Sequence, residues 1–146
     1  MIYYSYDEFE KDIKEYALKI QKEFDPDCIV GIARGGLTLA HCLSVALKTR
    51  NCFSLNSIHY DENERLDTIN IFNIPDLNGF ERILLVDDIV DSGESMITIR
   101  QAISKRYSQS EIKIATIFFK EKALIKPDFA IHEAKDWIEF FWDVRI

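Results

Sequence analysis

The sequence predicts an α/β fold in which a mostly parallel, twisted sheet is flanked by helices. Short β-branched or apolar runs alternate along the chain with segments whose apolar residues recur at helical spacing, which favours a parallel sheet covered on both faces. One of these runs, RILLV, is almost entirely apolar, as is typical of a fully buried strand. With 146 residues, 47% of them hydrophobic, the chain can form one domain with a substantial core.

The elements can be justified in order from the N-terminus. Ser5 and Glu8 form a capping-box pattern, and apolar residues at helical spacing then predict a helix over about 6–24. The strand DCIVGIA stops at an RGG turn and is followed by a helix in LTLAHCLSVALK. Further strands are predicted in NCFSLNSI, TINIF, RILLV and EIKIATIFF, with a helix in SMITIRQAISKRY before the last of them. We therefore expect a single domain over 1–146, in which the aromatic tail, about 120–146, forms a small C-terminal hood.

The composition argues against several classes of function. The net charge of −7 disfavours nucleic-acid binding, which relies on basic surface to displace counterions. No apolar run is long enough to span a bilayer, and MIYYSYDEFEK lacks the basic and apolar regions of a signal peptide. Three widely spaced cysteines in apolar contexts fit reduced, buried thiols better than a disulfide framework or a metal site. We expect a cytoplasmic protein with no membrane span, for which a small anionic substrate is still allowed.

The stretch RILLVDDIVDSGES carries the clearest chemical signal. Carboxylates ~5 Å apart repel by ~3 kcal/mol at an effective dielectric constant of ~20, so Asp87, Asp88 and Asp91 need a surface loop or a bound cation or ligand. Gly93 permits a tight turn into a helix whose free N–H groups, with neighbouring serine hydroxyls, can hold a phosphate. Ionised Asp87 and Asp88 accept hydrogen bonds from sugar hydroxyls or bind magnesium. A phosphate site beside acceptors for a diol is the layout that a ribose 5-phosphate requires.

Plainer interpretations of the same residues stay open at this point. A Gly-Ser turn that opens a helix is ordinary in α/β proteins, and an acidic pair can be a solvated strand end. The Walker phosphate loop and the dinucleotide-binding GxGxxG pattern are both absent from the sequence. Two unusual loops, ARGG and DDIVDSGES, nevertheless follow strands whose carboxyl ends share one edge of the predicted sheet, where α/β proteins bind ligands.

The motifs resemble those of a known family. ILLVDDIVDSGES is similar to the phosphoribosyl diphosphate (PRPP) signature of type I phosphoribosyltransferases, and GIARGGL resembles their pyrophosphate loop. YDENERLDTINIF stands where the family has a loop that closes over the substrate. ATIFFK, followed by PDFAIHEAKDWIEFFWD, resembles the bacterial xanthine-guanine (6-oxopurine) branch. The resemblance covers essentially the whole chain.

The resemblance implies how PRPP would be held. Arg34, Gly35 and Gly36 would bind its pyrophosphate, in a loop that can adopt a cis peptide, here between Ala33 and Arg34. Arg65 would reach the pyrophosphate from the closing loop. Asp87 and Asp88 would receive the ribose hydroxyls, and Asp88 would also contact Mg²⁺, the expected cofactor. The PRPP-binding segment would continue through Ile89, Val90, Asp91, Ser92, Gly93, Glu94 and Ser95, of which Asp91 to Ser95 would bind the 5′-phosphate.

The resemblance also implies a base site and a reaction. Lys120 would donate to O6 of the purine, Trp137 would stack on the ring, and the backbone of Ile138 would face the base near C2. Asp91 would share the N7 proton, which makes Asp91, Asp87 and Asp88 the expected catalytic residues. The enzyme would transfer the phosphoribosyl group from PRPP to N9 of guanine, xanthine or hypoxanthine, release pyrophosphate, and form a homo-oligomer, a dimer or a tetramer.

Alternatives remain for the residues and for the function. Trp137 could be a core or oligomer contact, Lys120 could be a surface lysine, and Glu94 is an unfavourable side chain in a phosphate loop unless it points to solvent. The protein could also be a phosphoribosyltransferase for another base, or a PRPP-sensing regulator of the same fold that performs no catalysis.

Overall fold

A computed structural model of the chain describes residues 1–60 and 68–146. The described elements are, in chain order, β1 (Ile2–Tyr4), α1 (Tyr6–Glu23), β2 (Cys28–Ala33), α2 (Leu37–Ala46), β3 (Cys52–Tyr60), β4 (Thr68–Phe72), β5 (Arg82–Val86), β6 (Ile89–Val90), α3 (Glu94–Arg106), β7 (Glu111–Ala115), β8 (Phe118–Phe119), β9 (His132–Glu133) and β10 (Ile138–Phe140).

The main sheet has five strands in the order β4-β3-β2-β5-β7. Strands β3, β2, β5 and β7 are parallel to their neighbours, and only the edge strand β4 runs antiparallel, to β3. The three helices cover the two faces, so the predicted α/β fold with a mostly parallel sheet is confirmed.

Strand β5 divides the hydrophobic core into two layers. Its residues alternate between the faces, as the two-residue period of a strand requires. Leu84 and Val86 belong to a buried cluster with residues of α1 and α2, and Ile83 and Leu85 belong to a second cluster with residues of α3. All four side chains are fully buried, which stabilises the fold by about 1.5–3 kcal/mol for each.

Helix α1 begins where its cap predicts. The Ser5 hydroxyl accepts a hydrogen bond from the Glu8 N–H at 3.2 Å, and the Glu8 carboxylate accepts one from the Ser5 N–H at 2.9 Å. Such a cap contributes about 1 kcal/mol by satisfying amides that the first helical turn leaves unpaired. The helix buries one stripe, formed by Phe9, Tyr16, Ala17 and Ile20.

The tail over 120–146, called the hood, pairs with strands from elsewhere in the chain, which the sequence does not predict. The short strands β6, β8 and β9 form a parallel three-stranded sheet, and β10 pairs with β1 rather than with another part of the tail. The N-terminal strand β1 was not among the predicted elements, because three residues give too little pattern to identify a strand.

The predicted strand EIKIATIFF is divided in two. The Thr116 hydroxyl donates to the Phe118 carbonyl at 2.8 Å, while the N–H groups of Ile117 and Phe118 both donate to the Asp88 carbonyl at 3.1 Å. These bonds turn the chain out of the main sheet after Ala115 and into the hood sheet at Phe118. The break is thus set by hydrogen bonds from a neighbouring loop.

Among the described residues, no helix combines the length and apolarity that a membrane span needs. Cys28 is fully buried, and Cys42 and Cys52 are partly buried. Burial raises the pKa of the Cys28 thiol to about 12, with smaller contributions from Asp27 and Cys52.

Candidate functional site

The two loops that the sequence singles out meet at the carboxyl edge of the main sheet. Gly31 of β2 is paired with Val86 of β5, so the turn after β2 and the acidic pair after β5 lie side by side. A side chain added at Gly35 would collide with the Asp88 carboxylate, whose Cγ would be only 2.6 Å from the new Cβ. One added at Gly36 would collide with the Val86 carbonyl. Two consecutive glycines therefore permit the close contact between these loops.

The turn itself has a backbone that the resemblance allows. The peptide bond between Ala33 and Arg34 is cis. The Gly36 N–H donates to the Ile32 carbonyl at 2.8 Å, and α2 then begins at Leu37. The Arg34 side chain is exposed, so its guanidinium can reach a ligand at this edge of the sheet.

Asp87 and Asp88 are held close together at the end of β5. Both side chains are partly buried, and the Asp88 N–H donates to Asp87 Oδ1 at 2.9 Å. Burial raises the pKa of Asp87 well above its ordinary value, and the neighbouring charge of Asp88 raises it further. The pKa of Asp88 is raised as well, chiefly by burial. Such a pair is stabilised by a bound cation or by hydroxyl donors.

The segment after the acidic pair turns tightly into α3. Gly93 has φ +89° and is buried against the chain at Leu124 and Ile125, so a side chain here would be both strained and crowded. The Ser92 hydroxyl accepts from the Glu94 N–H at 3.3 Å. Glu94 is exposed in the first helical turn, where a negative charge is favourable.

Asp91 and Lys120 are brought together across the loop. Lys120 Nζ lies 2.7 Å from Asp91 Oδ1, and the Lys120 N–H donates to the Val90 carbonyl at 2.9 Å. Both side chains are substantially exposed, so this ion pair is weak and can be rearranged by a ligand. A carboxylate and an ammonium group therefore stand side by side where the loop meets the hood.

Trp137 and Ile138 lie in the hood at the start of β10. The Trp137 side chain is 69% exposed, whereas Ile138 is buried. The backbone of Trp137 is fixed on both sides, because its carbonyl accepts from the Ile2 N–H at 2.8 Å and its N–H donates to the Asp136 carboxylate at 2.7 Å. An indole exposed on a fixed backbone is available to stack on a ligand. Trp137 is thus not a core residue in the described chain.

Comparison with known proteins identifies the family of this fold and site. A family model described as the phosphoribosyl transferase domain matches residues 2–146. The chain belongs to the phosphoribosyltransferase family. This phosphoribosyltransferase is thereby assigned to the pentosyltransferases, in agreement with the resemblance of its motifs.

Relatives of this phosphoribosyltransferase are named as enzymes that act on purines. It is 29% identical over 147 residues to the xanthine-guanine phosphoribosyltransferase of Idiomarina loihiensis, with 97% of this chain and 86% of that protein covered. A xanthine-guanine-hypoxanthine phosphoribosyltransferase of Helicobacter pylori superposes with a TM-score of 0.91 at 34% identity, covering 98% of this chain and 94% of that one. A purine phosphoribosyltransferase of Pyrococcus horikoshii gives 0.86 at 29% identity, with 99% and 95% covered.

The structure brings several predicted site residues of this phosphoribosyltransferase together in two contacts. Gly35 and Gly36 contact the acidic pair, and Asp91 contacts Lys120. Arg65, expected to reach pyrophosphate, lies outside the described residues. The substrate roles of all these residues stay predictions.

Sequence reasoning missed the turn at Leu124 and Ile125 as part of the site. The Leu124 N–H donates to the Ser92 carbonyl at 2.8 Å, and Ile125 packs against Gly93, so this turn supports the expected phosphate loop from outside. The segment EKALIK has neither a helical nor a strand period, and no pattern in the sequence could have linked it to Gly93.

Proposed function

We propose that this phosphoribosyltransferase transfers the 5-phosphoribosyl group from PRPP to N9 of a 6-oxopurine and releases pyrophosphate. The observation that carries the proposal is the contact of Asp91 with Lys120, 2.7 Å apart beside the hood. O6 and N7 are neighbouring atoms on one edge of a 6-oxopurine. An ammonium group that donates to O6, next to a carboxylate that accepts the N7 proton, matches that edge. The names of the relatives support the same class of base.

The sugar phosphate would occupy the edge formed by the two loops. The turn at Gly93 and the first amides of α3 would bind the 5′-phosphate, with the hydroxyls of Ser92 and Ser95 as further donors. Asp87 and Asp88 would accept hydrogen bonds from the ribose hydroxyls. Arg34 and the glycines that follow it would hold the diphosphate at the opposite side of the acidic pair.

The acidic pair also suits the magnesium ion that the family implies. Mg²⁺ is commonly held by one or two carboxylates together with substrate phosphates and water, and Asp87 and Asp88 supply two adjacent, partly buried carboxylates whose pKa values are raised. Among the described residues no group of three or more such ligands converges, which fits an ion that arrives with PRPP. When bound, Mg²⁺ would supply positive charge that offsets the charge on the diphosphate.

The reaction can be written in terms of this chain's own residues. The bond between C1 of ribose and the diphosphate oxygen breaks, the electron pair leaves with the diphosphate, and N9 of the purine forms the new bond to C1. Arg34 stabilises the charge that grows on the leaving group. Asp91 accepts the N7 proton as N9 becomes bonded, a general-base contribution typically worth ~10²–10⁴-fold. Trp137 and the hood hold the base in line with C1.

Direct turnover tests the proposal. Purified protein is incubated with PRPP and Mg²⁺ and, in turn, guanine, xanthine, hypoxanthine, adenine, uracil and orotate, while pyrophosphate and nucleotide are both measured. Formation of nucleotide from one or more of the 6-oxopurines is expected. Turnover of another base alone, or PRPP binding without turnover of any base, would contradict the proposal and would favour another substrate or a regulator.

The proposal includes a cytoplasmic location and a homo-oligomeric state, a dimer or a tetramer. Light scattering on the purified protein measures the second directly, and a monomer across the working concentration range would contradict it.

A further inference from the structure

The carboxylate of Asp12, which is largely buried and lies outside the proposed substrate site, joins α1 to the hood. Asp12 Oδ2 accepts a hydrogen bond from the Tyr4 hydroxyl at 2.7 Å and also lies 2.7 Å from Nε2 of His132. The Asp12 side chain is only 20% exposed. Since an ionised carboxylate can only accept, His132 donates from Nε2, and one oxygen atom of Asp12 receives both bonds.

The first of these bonds leads to one half of the proposed base site. Tyr4 lies in β1, which is paired with β10 so that Ile2 stands opposite Ile138 and Tyr4 opposite Phe140. The Ile2 N–H holds the carbonyl of Trp137 at 2.8 Å, two residues from the tyrosine that Asp12 binds. The position of β1 therefore sets the position of Trp137 and Ile138.

The second bond leads to the other half. His132 lies in β9, where it is paired with Phe118 of β8, and β8 ends one residue before Lys120. Phe118 contacts the rings of both Tyr4 and His132, with centroids 5.3 Å apart in each case. A single oxygen of Asp12 thus fixes the strand pair that carries Trp137 relative to the strands that lead to Lys120.

The tyrosine remains a hydrogen-bond donor under ordinary conditions. Burial raises the pKa of Tyr4 far above its ordinary value, and the hydrogen bond to Asp12 and the charge of that residue raise it further. The neutral phenol is the form that donates to Asp12, and the raised pKa of Tyr4 keeps the phenol in that form at neutral pH.

We propose that Asp12 is a positioning residue for purine binding, which fixes the two halves of the base site at the correct separation without touching the substrate. This inference rests on the proposed function. Misplacement of groups that hold a substrate weakens its binding and turnover even when the groups themselves are intact. Among the described residues, the loops proposed to hold PRPP make no hydrogen bond to Asp12. They adjoin this network through β6, whose Ile89 is paired with Phe118 of β8.

Steady-state kinetics of Asp12 variants tests the proposal. In Asp12→Ala the KM for the purine should rise about tenfold, because the two halves of the base site lose their fixed separation, whereas the KM for PRPP should change less than about twofold. Asp12→Asn should have a purine KM close to that of the wild type, because an amide oxygen placed at Oδ2 can accept both hydrogen bonds. Tyr4→Phe and His132→Ala should each raise the purine KM, and neither should add fully to Asp12→Ala.

Two control variants separate positioning from general destabilisation. Glu15→Ala removes an exposed carboxylate from the same helix and should leave both KM values unchanged. Ile103→Val removes one buried methyl group from α3, should lower the melting temperature, and should leave the purine KM unchanged.

Each remaining outcome overturns a definite statement. If the wild-type protein uses purines but Asp12→Ala and Glu15→Ala have equal purine KM values, the positioning role alone is overturned. A parallel rise in both KM values, following the melting temperature as stability falls, would also overturn it in favour of a purely structural role. Failure of the wild-type protein to use any purine would overturn the proposed function and this inference with it.

Discussion

At the scale of single residues, Gly35 is the point at which the two proposed substrate loops touch. An added methyl group there would lie 2.6 Å from Cγ of Asp88, far inside van der Waals contact. The Asp88 backbone is fixed, because its N–H is bound to Asp87 and its carbonyl accepts two further N–H groups, so the carboxylate could make room only by rotating about its side-chain bonds. Glycine at position 35 allows the turn to approach the carboxylate in its present position.

Gly35→Ala is therefore expected to impair PRPP binding selectively. The methyl group must displace the Asp88 carboxylate or the turn that holds Arg34, and we expect the KM for PRPP to rise at least tenfold. Gly79→Ala is a control for loss of stability, because an alanine at φ +89° is strained, yet a Cβ there meets nothing within 4 Å. That variant should lose some stability and keep its PRPP KM. Equal PRPP KM values in the two variants would contradict the assigned contact.

Asp91→Asn tests the proposed proton acceptor. An amide can still accept a hydrogen bond from Lys120 but cannot take the N7 proton, so kcat should fall ~10²-fold or more while PRPP still binds. PRPP affinity measured by calorimetry and kcat measured by pyrophosphate release separate the two effects. A near-normal kcat would remove Asp91 from the mechanism.

Trp137→Ala tests the proposed stacking surface. The side chain is 69% exposed, so its loss should hardly change the free energy of unfolding, whereas purine affinity should weaken by the roughly 1–3 kcal/mol typical of stacking between a base and an aromatic ring. Trp142→Phe is a useful comparison, because Trp142 is stacked on Phe140 inside the hood. An unchanged purine KM in Trp137→Ala would place the base elsewhere.

At the scale of elements, features set by local sequence were predictable and those set by distant partners were not. Helix α1 follows from its capping box and its apolar stripe, and β5 follows from a run of apolar residues. Strand β1 exists because β10, more than a hundred residues away in sequence, pairs with it. The same holds for the site. The aspartates that follow β5 are evident from the local sequence, whereas the bond between Asp12 and His132 joins residues 120 positions apart.

The pairing of β1 with β10 yields its own prediction. Ile2→Pro removes the N–H that holds the Trp137 carbonyl at 2.8 Å, so the hood should loosen and the purine KM should rise several-fold. Ile2→Ala keeps that N–H and trims only a partly exposed side chain, so it should behave like the wild type. Hydrogen exchange at β10, measured by mass spectrometry, should be faster in the proline variant than in the alanine variant. Equal exchange rates would show that β1 does not hold the hood.

At the scale of the whole molecule, binding and stability oppose each other at the end of β5. The chain carries a net charge of −7, and its acidic pair lies partly buried in the loop that follows β5. Each ionised carboxylate there is unfavourable in the empty protein, as the raised pKa values of Asp87 and Asp88 indicate. A ligand that brings cationic charge and hydroxyl donors would relieve this cost. The ionised pair therefore lowers the stability of the free protein and raises its affinity for such a ligand.

The pH dependence of the free energy of unfolding measures the cost of ionising the acidic pair in the folded protein. A folded-state pKa above the unfolded value means that the folded protein binds more protons between the two values, so the free energy of unfolding should fall as pH rises through that window, by up to about 1.4 kcal/mol per pH unit for one proton. Asp87→Asn cannot ionise and should lose this component, so its stability relative to the wild type should increase from pH 4 towards neutral pH. Urea unfolding of both proteins at constant ionic strength gives the difference directly. A difference that stays constant with pH would mean that Asp87 titrates alike in the folded and unfolded chains, and the acidic pair would then hold no electrostatic cost for a substrate to relieve.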